Sequence, residues 1–542
     1  SYQFKDLFVN GTSFADALGF GTVAMTVPTA DGSSGQVLAT NGSGVLSWST
    51  LTGITSTQAS AITANTIKTG ITSDQASAIV ANTAKVSGAT SVNGLSDGLV
   101  EDNSIYIGND PSSSTSTAEY NVGVGKNVLS SITTGDRNVG MGYKALNANT
   151  SGRDNAALGR EALMSNTDGE FNVAIGAGAL LTSTSADQNV AIGYGAMYYN
   201  STGESNVGLG VRALRSNTTG DENTATGSNA LYTNTTGNQN TAMGYRSLYS
   251  NTTGTKNIAI GHGAYDNADT EHNNLAIGWS ALGGAINGGE YNIAIGNYSL
   301  AANTTGDHNI GIGYASLDDN TTGNENTALG GYTLFRNTTG SYNTATGKGA
   351  LYYNTTGGYN TGVGVSALRL NTTGFNNVAV GNNALDKNTT GSNNTGSGYR
   401  SLYSNTTASN NTGFGYNTLR SNTTGDNNTS MGAQSMYYNT TGAANTAVGN
   451  YSLINNTEGE KNTVMGSTAL YSNTTGDNNT GIGQYALNSN TTASSNTALG
   501  SFAGDAITTG GSNVMLGYGT DPSAVDGTNQ IVIGYGAAGH GD

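Results

Sequence analysis

The chain carries a pattern of apolar and polar positions that returns every 17 residues over most of its length. One unit runs from Asn240 to Lys256 and reads Asn-Thr-Ala-Met-Gly-Tyr-Arg-Ser-Leu-Tyr-Ser-Asn-Thr-Thr-Gly-Thr-Lys. Its fifth-position glycine recurs in 26 units from Gly108 to Gly534, with a single 18-residue step. A fixed period of this kind indicates a repeat architecture, in which each unit buries its apolar side against its neighbours.

The positions of the unit, numbered 1 to 17 from its first Asn, differ in character. Position 9 is usually Leu, position 4 is usually apolar, position 3 is small, and positions 12 to 15 read Asn-Thr-Thr-Gly, which favours a tight corner. Tandem helical repeats need about 33 residues or more per unit. The pattern therefore predicts an all-β fold, a parallel β-solenoid or β-roll of about 26 coils. Coils stacked ~4.8 Å apart would form a rod of roughly 125 Å.

Three finer expectations follow from this fold. Asn at position 1 would form a ladder of stacked side-chain amides along the rod, although a plain turn role would also explain it. The small residues at position 3 predict the close approach of a neighbouring chain. The extra residue between Gly278 and Gly296 must bulge out at one corner, because a one-residue slip would turn the Leu column outward.

The sequence before the rod divides into three parts. Residues 1–52 read as small β elements or a linker, 53–87 as a short coiled coil, and 88–103 as a linker, with the repeat rod from 104 to 542. The segment 53–87 holds two 17-residue units with helix-capping signals. Ile62 and Asn65 are spaced as two core positions of a coiled coil, as are Ile79 and Asn82, and buried Asn layers fix register.

Composition removes several function classes. Gly accounts for 81 of 542 residues and Pro for only 3, which excludes collagen. The absence of Cys excludes disulfide scaffolds and thiolate metal sites. A net charge of −16 argues against a nucleic-acid partner, which would require clusters of Lys and Arg. No apolar run approaches the ~20 residues of a membrane span.

The carboxylates and His residues are not clustered on one face as in an enzyme active site, so we expect no enzyme activity, cofactor or metal. The least regular stretch, 262–291, interrupts the Asn-Thr-Thr-Gly corner and holds the only Trp of the rod. It supplies the candidate receptor-binding residues His262, Tyr265, His272 and Trp279. Drift in a repeat array is the competing interpretation. The many Tyr residues at positions 6 and 10 could stack on sugar rings, although ladder packing explains them more simply.

Some segments resemble known families. Ile62 to Thr66 and Ile79 to Thr83 resemble the asparagine core layers of trimeric autotransporter stalks and phage fibres. Asn172 to Gly176 resembles the head repeats of trimeric autotransporter adhesins, which form a parallel β-roll. The Asn-Thr-Thr-Gly units, with Ser1 to Leu7 and Pro28 to Leu38, look like tail or side fibres of marine bacteriophages, cyanophages among them. Asn529 to Gly536 resembles the stretch that often precedes a chaperone domain in such fibres.

The resemblance implies a homotrimeric tail or side fibre of a bacteriophage virion. Such a fibre attaches to the host or spaces a receptor-binding tip, and its partners are other virion tail proteins and a host-surface glycan or protein receptor. The resemblance also implies that Asn65 and Asn82 form trimeric rings able to hold an anion, without membrane insertion. The alternative is a trimeric autotransporter-like adhesin on a bacterial surface, and an ice- or glycan-binding solenoid with enzyme-like features is the weakest interpretation.

Overall fold

The computed structural model describes residues 36–40, 45–50, 98–101, 103–108, 111 and 114–540. The chain divides into one unit that ends at Val100 and another that begins at Glu101. In the first unit, β1 (Gln36–Thr40) and β2 (Leu46–Thr50) pair antiparallel, with Leu38 opposite Trp48. The expected helices that carry Asn65 and Asn82 lie outside the described residues, so that prediction is not tested.

The remaining described strands are short and evenly spaced. In chain order they are β3 (Gly98–Glu101), β4 (Ser104–Ile107), β5 (Val122–Val124), β6 (Val139–Met141), β7 (Ala156–Leu158), β8 (Val173–Ile175), β9 (Val190–Ile192), β10 (Val207–Leu209), β11 (Thr224–Thr226), β12 (Thr241–Met243), β13 (Ile258–Ile260), β14 (Leu275–Ile277), β15 (Ile293–Ile295), β16 (Ile310–Ile312), β17 (Thr327–Leu329), β18 (Thr344–Thr346), β19 (Thr361–Val363), β20 (Val378–Val380), β21 (Thr395–Ser397), β22 (Thr412–Phe414), β23 (Thr429–Met431), β24 (Thr446–Val448), β25 (Thr463–Met465), β26 (Thr480–Ile482), β27 (Thr497–Leu499), β28 (Val514–Leu516) and β29 (Ile531–Ile533).

Strands β4 to β29 form a parallel β-solenoid of about 25 turns, which confirms the predicted fold. Each strand pairs in parallel with the next one along the chain, and identical positions of the unit face each other. Thr327, for example, lies opposite Thr344, and Leu329 lies opposite Thr346. No helix occurs among the described residues. The fold thus repeats a single turn, each turn bonding to its two neighbours.

The interior is a narrow column of small and branched side chains. Ala328 at position 3 and Leu334 at position 9 are fully buried, and this holds for the same positions in nearly every turn. The expectation that the small position-3 residues admit a neighbouring chain is therefore wrong. They face inward, and they are small because the core Leu of the preceding turn fills the space beside them. A Cβ on Gly396 would lie 3.4 Å from the side chain of Leu385.

The core Leu adopts an unusual backbone conformation. Leu248 has a φ of 48°, and the other Leu residues at position 9 have similar values. A left-handed conformation costs an L-residue roughly 1–2 kcal/mol, whereas burying a Leu side chain stabilises by about 1.5–3 kcal/mol. Residues branched at Cβ tolerate this conformation least. This explains why the core column is built from Leu, with Met197 and Tyr265 as substitutes, rather than from Ile or Val.

Two asparagine ladders run along the interior, and in most turns they share one acceptor. At position 1, the backbone N–H and the Nδ2 of Asn343 both donate to Asn326 Oδ1, at 3.0 and 3.1 Å. At position 12, Asn354 Nδ2 donates to Asn337 Oδ1 at 2.8 Å. The Nδ2 atoms of Asn343 and Asn354 also donate to the carbonyl oxygen of Gly357. The expected position-1 ladder is present, and the second ladder anchors the corner from inside.

The 18-residue turn is accommodated as expected. Leu282 still lies in the core column, and Ile286 occupies the position-12 site of its turn, with both side chains buried. The backbone N–H of Asn287 donates to Thr304 O, a separation of 17 residues, so the normal register has resumed there. The additional residue therefore lies between Leu282 and Ile286, where Ala285 is exposed.

Candidate binding surfaces

An exposed row of aromatic side chains crosses the irregular stretch. We call it the aromatic ribbon. Its members are Tyr245, His262, Trp279, Tyr298, Tyr314 and Tyr332, one from each of six successive turns. Ring centroids of successive members are 5.1, 6.4, 5.3, 6.1 and 5.2 Å apart. The His262 and Trp279 rings are perpendicular, and Trp279 is 51% exposed. Because most of these rings are tilted rather than stacked flat, parts of their faces point to solvent.

The four candidate residues divide into two pairs. His262 and Trp279 lie together in the aromatic ribbon, whereas Tyr265 and His272 do not. Tyr265 fills the core at position 9, and its hydroxyl accepts a hydrogen bond from Asn274 Nδ2 at 2.7 Å. Burial raises the pKa of Tyr265 well above its usual value. His272 Nδ1 accepts the backbone N–H of Thr255 at 2.9 Å, so it holds two turns together.

The ribbon extends beyond the residues that the sequence singled out. Tyr298 and Tyr332 were missed because each occupies position 7 rather than position 6 of its turn. They nevertheless reach the same column of rings. The signal that would have found them is an aromatic residue at either position 6 or position 7 in consecutive units.

A buried carboxylate shapes the irregular corner next to the ribbon. Glu271 replaces the usual position-15 Gly and is 3% exposed. Its Oε2 accepts the backbone N–H groups of Asp269 and Thr270, and its Oε1 accepts that of Gly288 at 3.0 Å. The carboxylate thus supplies acceptors to backbone donors of two adjacent turns. We therefore assign Glu271 a structural role.

A second aromatic cluster lies on the Asn-Thr-Thr-Gly corner, and we call it the corner groove. It is lined by Thr339, Ser341, Tyr342, Thr356, Gly358, Tyr359, Phe375 and Asn376. The Tyr342 and Tyr359 rings stack with centroids 4.8 Å apart and an interplanar angle of 8°. Tyr359 is 61% exposed. Sequence reasoning missed this groove, although aromatic residues at positions 16 and 17 of three successive units signal it.

The third surface is an apolar strip formed by position 4, which points outward from every strand. This position is apolar in all but three of the 26 strands from β4 to β29, the exceptions being Thr226, Thr346 and Ser397. Parallel pairing aligns these side chains into one continuous row. Leu329, for example, lies between Ile312 and Thr346 in the register, and it is 47% exposed.

The described residues bear on two further kinds of feature, a metal-ligand cluster and a membrane-length helix. Among them, no group of three or more His, Asp or Glu side chains is close enough together to hold a metal ion. His308 stacks on Tyr291, with centroids 4.9 Å apart. The part of the chain that the structure describes holds no helix with the length and hydropathy needed to cross a membrane.

Comparisons with known proteins do not assign a family. No protein-family model matches the chain, and a search of curated proteins finds no relative. The function is therefore inferred from the three surfaces and the repeat fold.

Proposed function

We propose that the chain is a non-enzymatic, homotrimeric tail or side fibre of a bacteriophage virion. It would attach the virion to its host or hold a receptor-binding tip away from the particle. A stack of about 25 hydrogen-bonded turns suits such a spacer, because every turn adds about 4.8 Å of length. Assembly into a trimer would present the surfaces that remain outside the interface three times, and this raises avidity for a host surface.

The apolar strip is the observation that supports self-association of the chain. A monomer's largest apolar patch is usually about 300–600 Å², and a stable interface takes about 800 Å² from each partner. Fourteen position-4 side chains, from Ile107 to Ile533, are each more than a third exposed. Together they expose on the order of 1,000 Å² of apolar surface. A surface of this size along one face favours a covering partner.

Further copies of this chain are the partner that fits best. A partner that covers the whole strip must match its length and its spacing of about 4.8 Å per turn. A second solenoid of the same sequence has both properties. The three polar interruptions, Thr226, Thr346 and Ser397, are uncharged, so copies packed against one another bury no unpaired charge along this row.

The assembly is tested by mass measurement in native buffer. The proposal expects three times the monomer mass of 54.7 kDa, and a species at 54.7 kDa alone would contradict it. Leu329→Glu combined with Met431→Glu places charges in the strip and should yield monomers that keep the solenoid's far-ultraviolet spectrum. The matched control is Thr322→Glu combined with Thr424→Glu, since both residues are exposed at position 14 on the corner. The control should remain trimeric.

The biological location needs a separate experiment. Gold-labelled antibodies against the rod should decorate the tail or side appendages of purified virions. Labelling of a bacterial envelope instead would favour a trimeric autotransporter-like adhesin. Blocking of host adsorption by the isolated rod would show that the rod binds a receptor itself, whereas an absence of competition would restrict it to a spacer.

A further inference from the structure

The corner groove lies where a regular hydrogen-bond series is interrupted. In many turns, a short polar side chain at position 16 accepts the backbone N–H of position 16 in the preceding turn. Asn324 Oδ1 accepts Asp307 N–H at 2.8 Å, and Ser341 Oγ accepts Asn324 N–H at 3.0 Å. The next two residues of the series are Gly358 and Phe375, neither of which carries an acceptor. The series resumes where Ser392 Oγ accepts Phe375 N–H.

Two neighbouring backbone donors are consequently left without a protein acceptor. These are the N–H groups of Ser341 and Gly358, for which the structure contains no hydrogen bond. A Cβ on Gly358 would lie 3.8 Å from Ser341 N, so the missing side chain is what opens access to this donor. Both residues are partly exposed. Other turns also break the series, but here the donors lie beside three exposed aromatic rings.

The remaining wall of the groove combines apolar rings with hydroxyl groups. Tyr359 and Phe375 are 61% and 50% exposed, so their rings offer unburied apolar surface. The hydroxyls of Thr339 and Thr356 border the groove. None of the residues that line it is charged. Glu325, at one end, raises the pKa of Tyr342, and its negative charge disfavours an anionic ligand.

We propose that the corner groove binds an uncharged oligosaccharide. Aromatic rings pack against the C–H faces of sugars, while backbone N–H groups and hydroxyls bond to ring hydroxyl or acetamido oxygens. The two N–H donors come from adjacent turns about 4.8 Å apart, which lets one extended glycan engage both. This inference rests on the proposed attachment function and names the ligand class and the site.

The test uses the full chain and two defined probes, the β-1,4-linked tetramers of N-acetylglucosamine and of glucose. Binding is followed by tyrosine fluorescence and by saturation-transfer NMR. We expect saturable, millimolar binding of at least one probe. Tyr359→Ala should weaken it about tenfold, a loss of about 1.4 kcal/mol. Tyr451→Ala, at an exposed Tyr elsewhere on the rod, should leave it unchanged.

A second variant distinguishes site chemistry from a general loss of order. Gly358→Asn restores the position-16 series by supplying an acceptor to Ser341 N–H, as Asn324 does for Asp307. It should weaken probe binding about tenfold while the trimer and the solenoid fold are kept. The new Cβ would lie 3.0 Å from Ser341 O, so a small fall in melting temperature is compatible with the proposal. Gly511→Asn repairs the same kind of gap at another turn and should leave binding unchanged.

Failure of the groove proposal can be told apart from failure of the proposed trimeric fibre, because the native mass is measured on the same samples. A trimer that binds neither probe, or one whose binding is insensitive to both Tyr359→Ala and Gly358→Asn, would overturn the groove alone. A monomer whose binding depends on both residues would overturn the trimer and leave the groove standing.

Discussion

Asn166 Oδ1 and Ser183 Oγ lie at the same buried position of adjacent turns, and neither atom has a hydrogen-bond partner. Elsewhere in this position-12 ladder, the Asn of the next turn donates to the preceding Asn, as Asn217 does to Asn200 at 2.6 Å. Ser183 is too short to bridge the gap. The ladder is broken again where Ala268 follows Asn251, and Asn251 Oδ1 is likewise unsatisfied. The turns that contain Ser183 and Ala268 are thus the places where the ladder leaves a buried polar atom unsatisfied.

Ser183→Asn should repair the first break. The new Nδ2 can donate to Asn166 Oδ1, and the new Oδ1 can accept from Asn200, so buried polar atoms gain partners. We expect a gain of about 1–2 kcal/mol in the free energy of unfolding, measured by urea titration. As the converse control, Asn320→Ser breaks a complete part of the ladder and should cost about 1–3 kcal/mol. An equal loss in both variants would contradict the ladder's stabilising role.

Thr468→Gly should also stabilise the rod. Thr468 is a β-branched residue at position 7 with a φ of 54°, a conformation that such residues rarely adopt. Gly already occupies the same position at Gly349, where φ is 67°. Relief of the strain should contribute roughly 1 kcal/mol, read as a rise in melting temperature. The reciprocal change, Gly349→Thr, should lower it, and a stabilising Gly349→Thr would refute the strain argument.

Gly313→Ala tests whether the close approach of adjacent turns requires Gly at position 5. Gly313 has a φ of 135°, and a Cβ there would lie 2.5 Å from the carbonyl oxygen of Gly330 in the next turn. The turns would have to separate locally, so we expect a loss of at least about 3 kcal/mol, seen by urea unfolding and amide exchange. Gly349→Ala is the control. It also has positive φ but meets no atom within 4 Å, and should cost only about 1 kcal/mol.

The sequence was informative about the period because stacked turns demand the same residue at the same position. Gly at position 5, Leu at position 9 and Asn at position 1, all returning every 17 residues, together predicted a parallel solenoid. The extra residue between Gly278 and Gly296 does bulge out, as expected. Whether a side chain faces the core or the outside of the rod was harder to infer. The strands alternate, but their central residue is small and the outer residue at position 4 is apolar, so Ala328 was expected to face a neighbouring chain and instead faces the core.

The candidate site was only partly predictable for the same reason. Tyr265 was a candidate receptor-binding residue although it stands at position 9, and its side chain proves to be buried in place of the core Leu. Tyr298 joins the ribbon from position 7, which sequence spacing alone does not reveal. The groove near Gly358 depends on a missing acceptor in a side-chain-to-backbone series. That series could not be recognised before the position-16 side chains were seen to bond to the preceding turn.

Glu271→Ala should loosen the irregular corner. It would remove the charged acceptor of the N–H groups of Asp269, Thr270 and Gly288, three part-buried hydrogen bonds that water replaces only in part. We expect a loss of about 1–3 kcal/mol, with faster amide exchange at Thr270 and Gly288. Glu222→Ala, at an exposed Glu, should have little effect. Unchanged exchange at Gly288 would show that the carboxylate does not hold this corner.

Asp318→Asn should stabilise the rod in a pH-dependent way. Desolvation by burial, reinforced by the charge of Asp319, raises the pKa of Asp318 to about 6 from its usual 3.8. Between about pH 4 and pH 6 the folded chain binds more protons at this group than the unfolded chain, so its contribution to stability falls as pH rises. The carboxylate is half exposed, and solvent screening reduces the effect of the shift to about 1 kcal/mol.

Removing the charge should therefore raise the free energy of unfolding by about 1 kcal/mol at about pH 7.5 and by almost nothing at about pH 4. Urea titrations at the two pH values measure this difference directly. Asp526→Asn, at an exposed Asp in the last complete turn, is the matched control and should change stability by less than about 0.5 kcal/mol at either pH. A gain for Asp318→Asn that is equally large at both pH values would mean that packing, rather than the burial of a charge, sets the cost at this position.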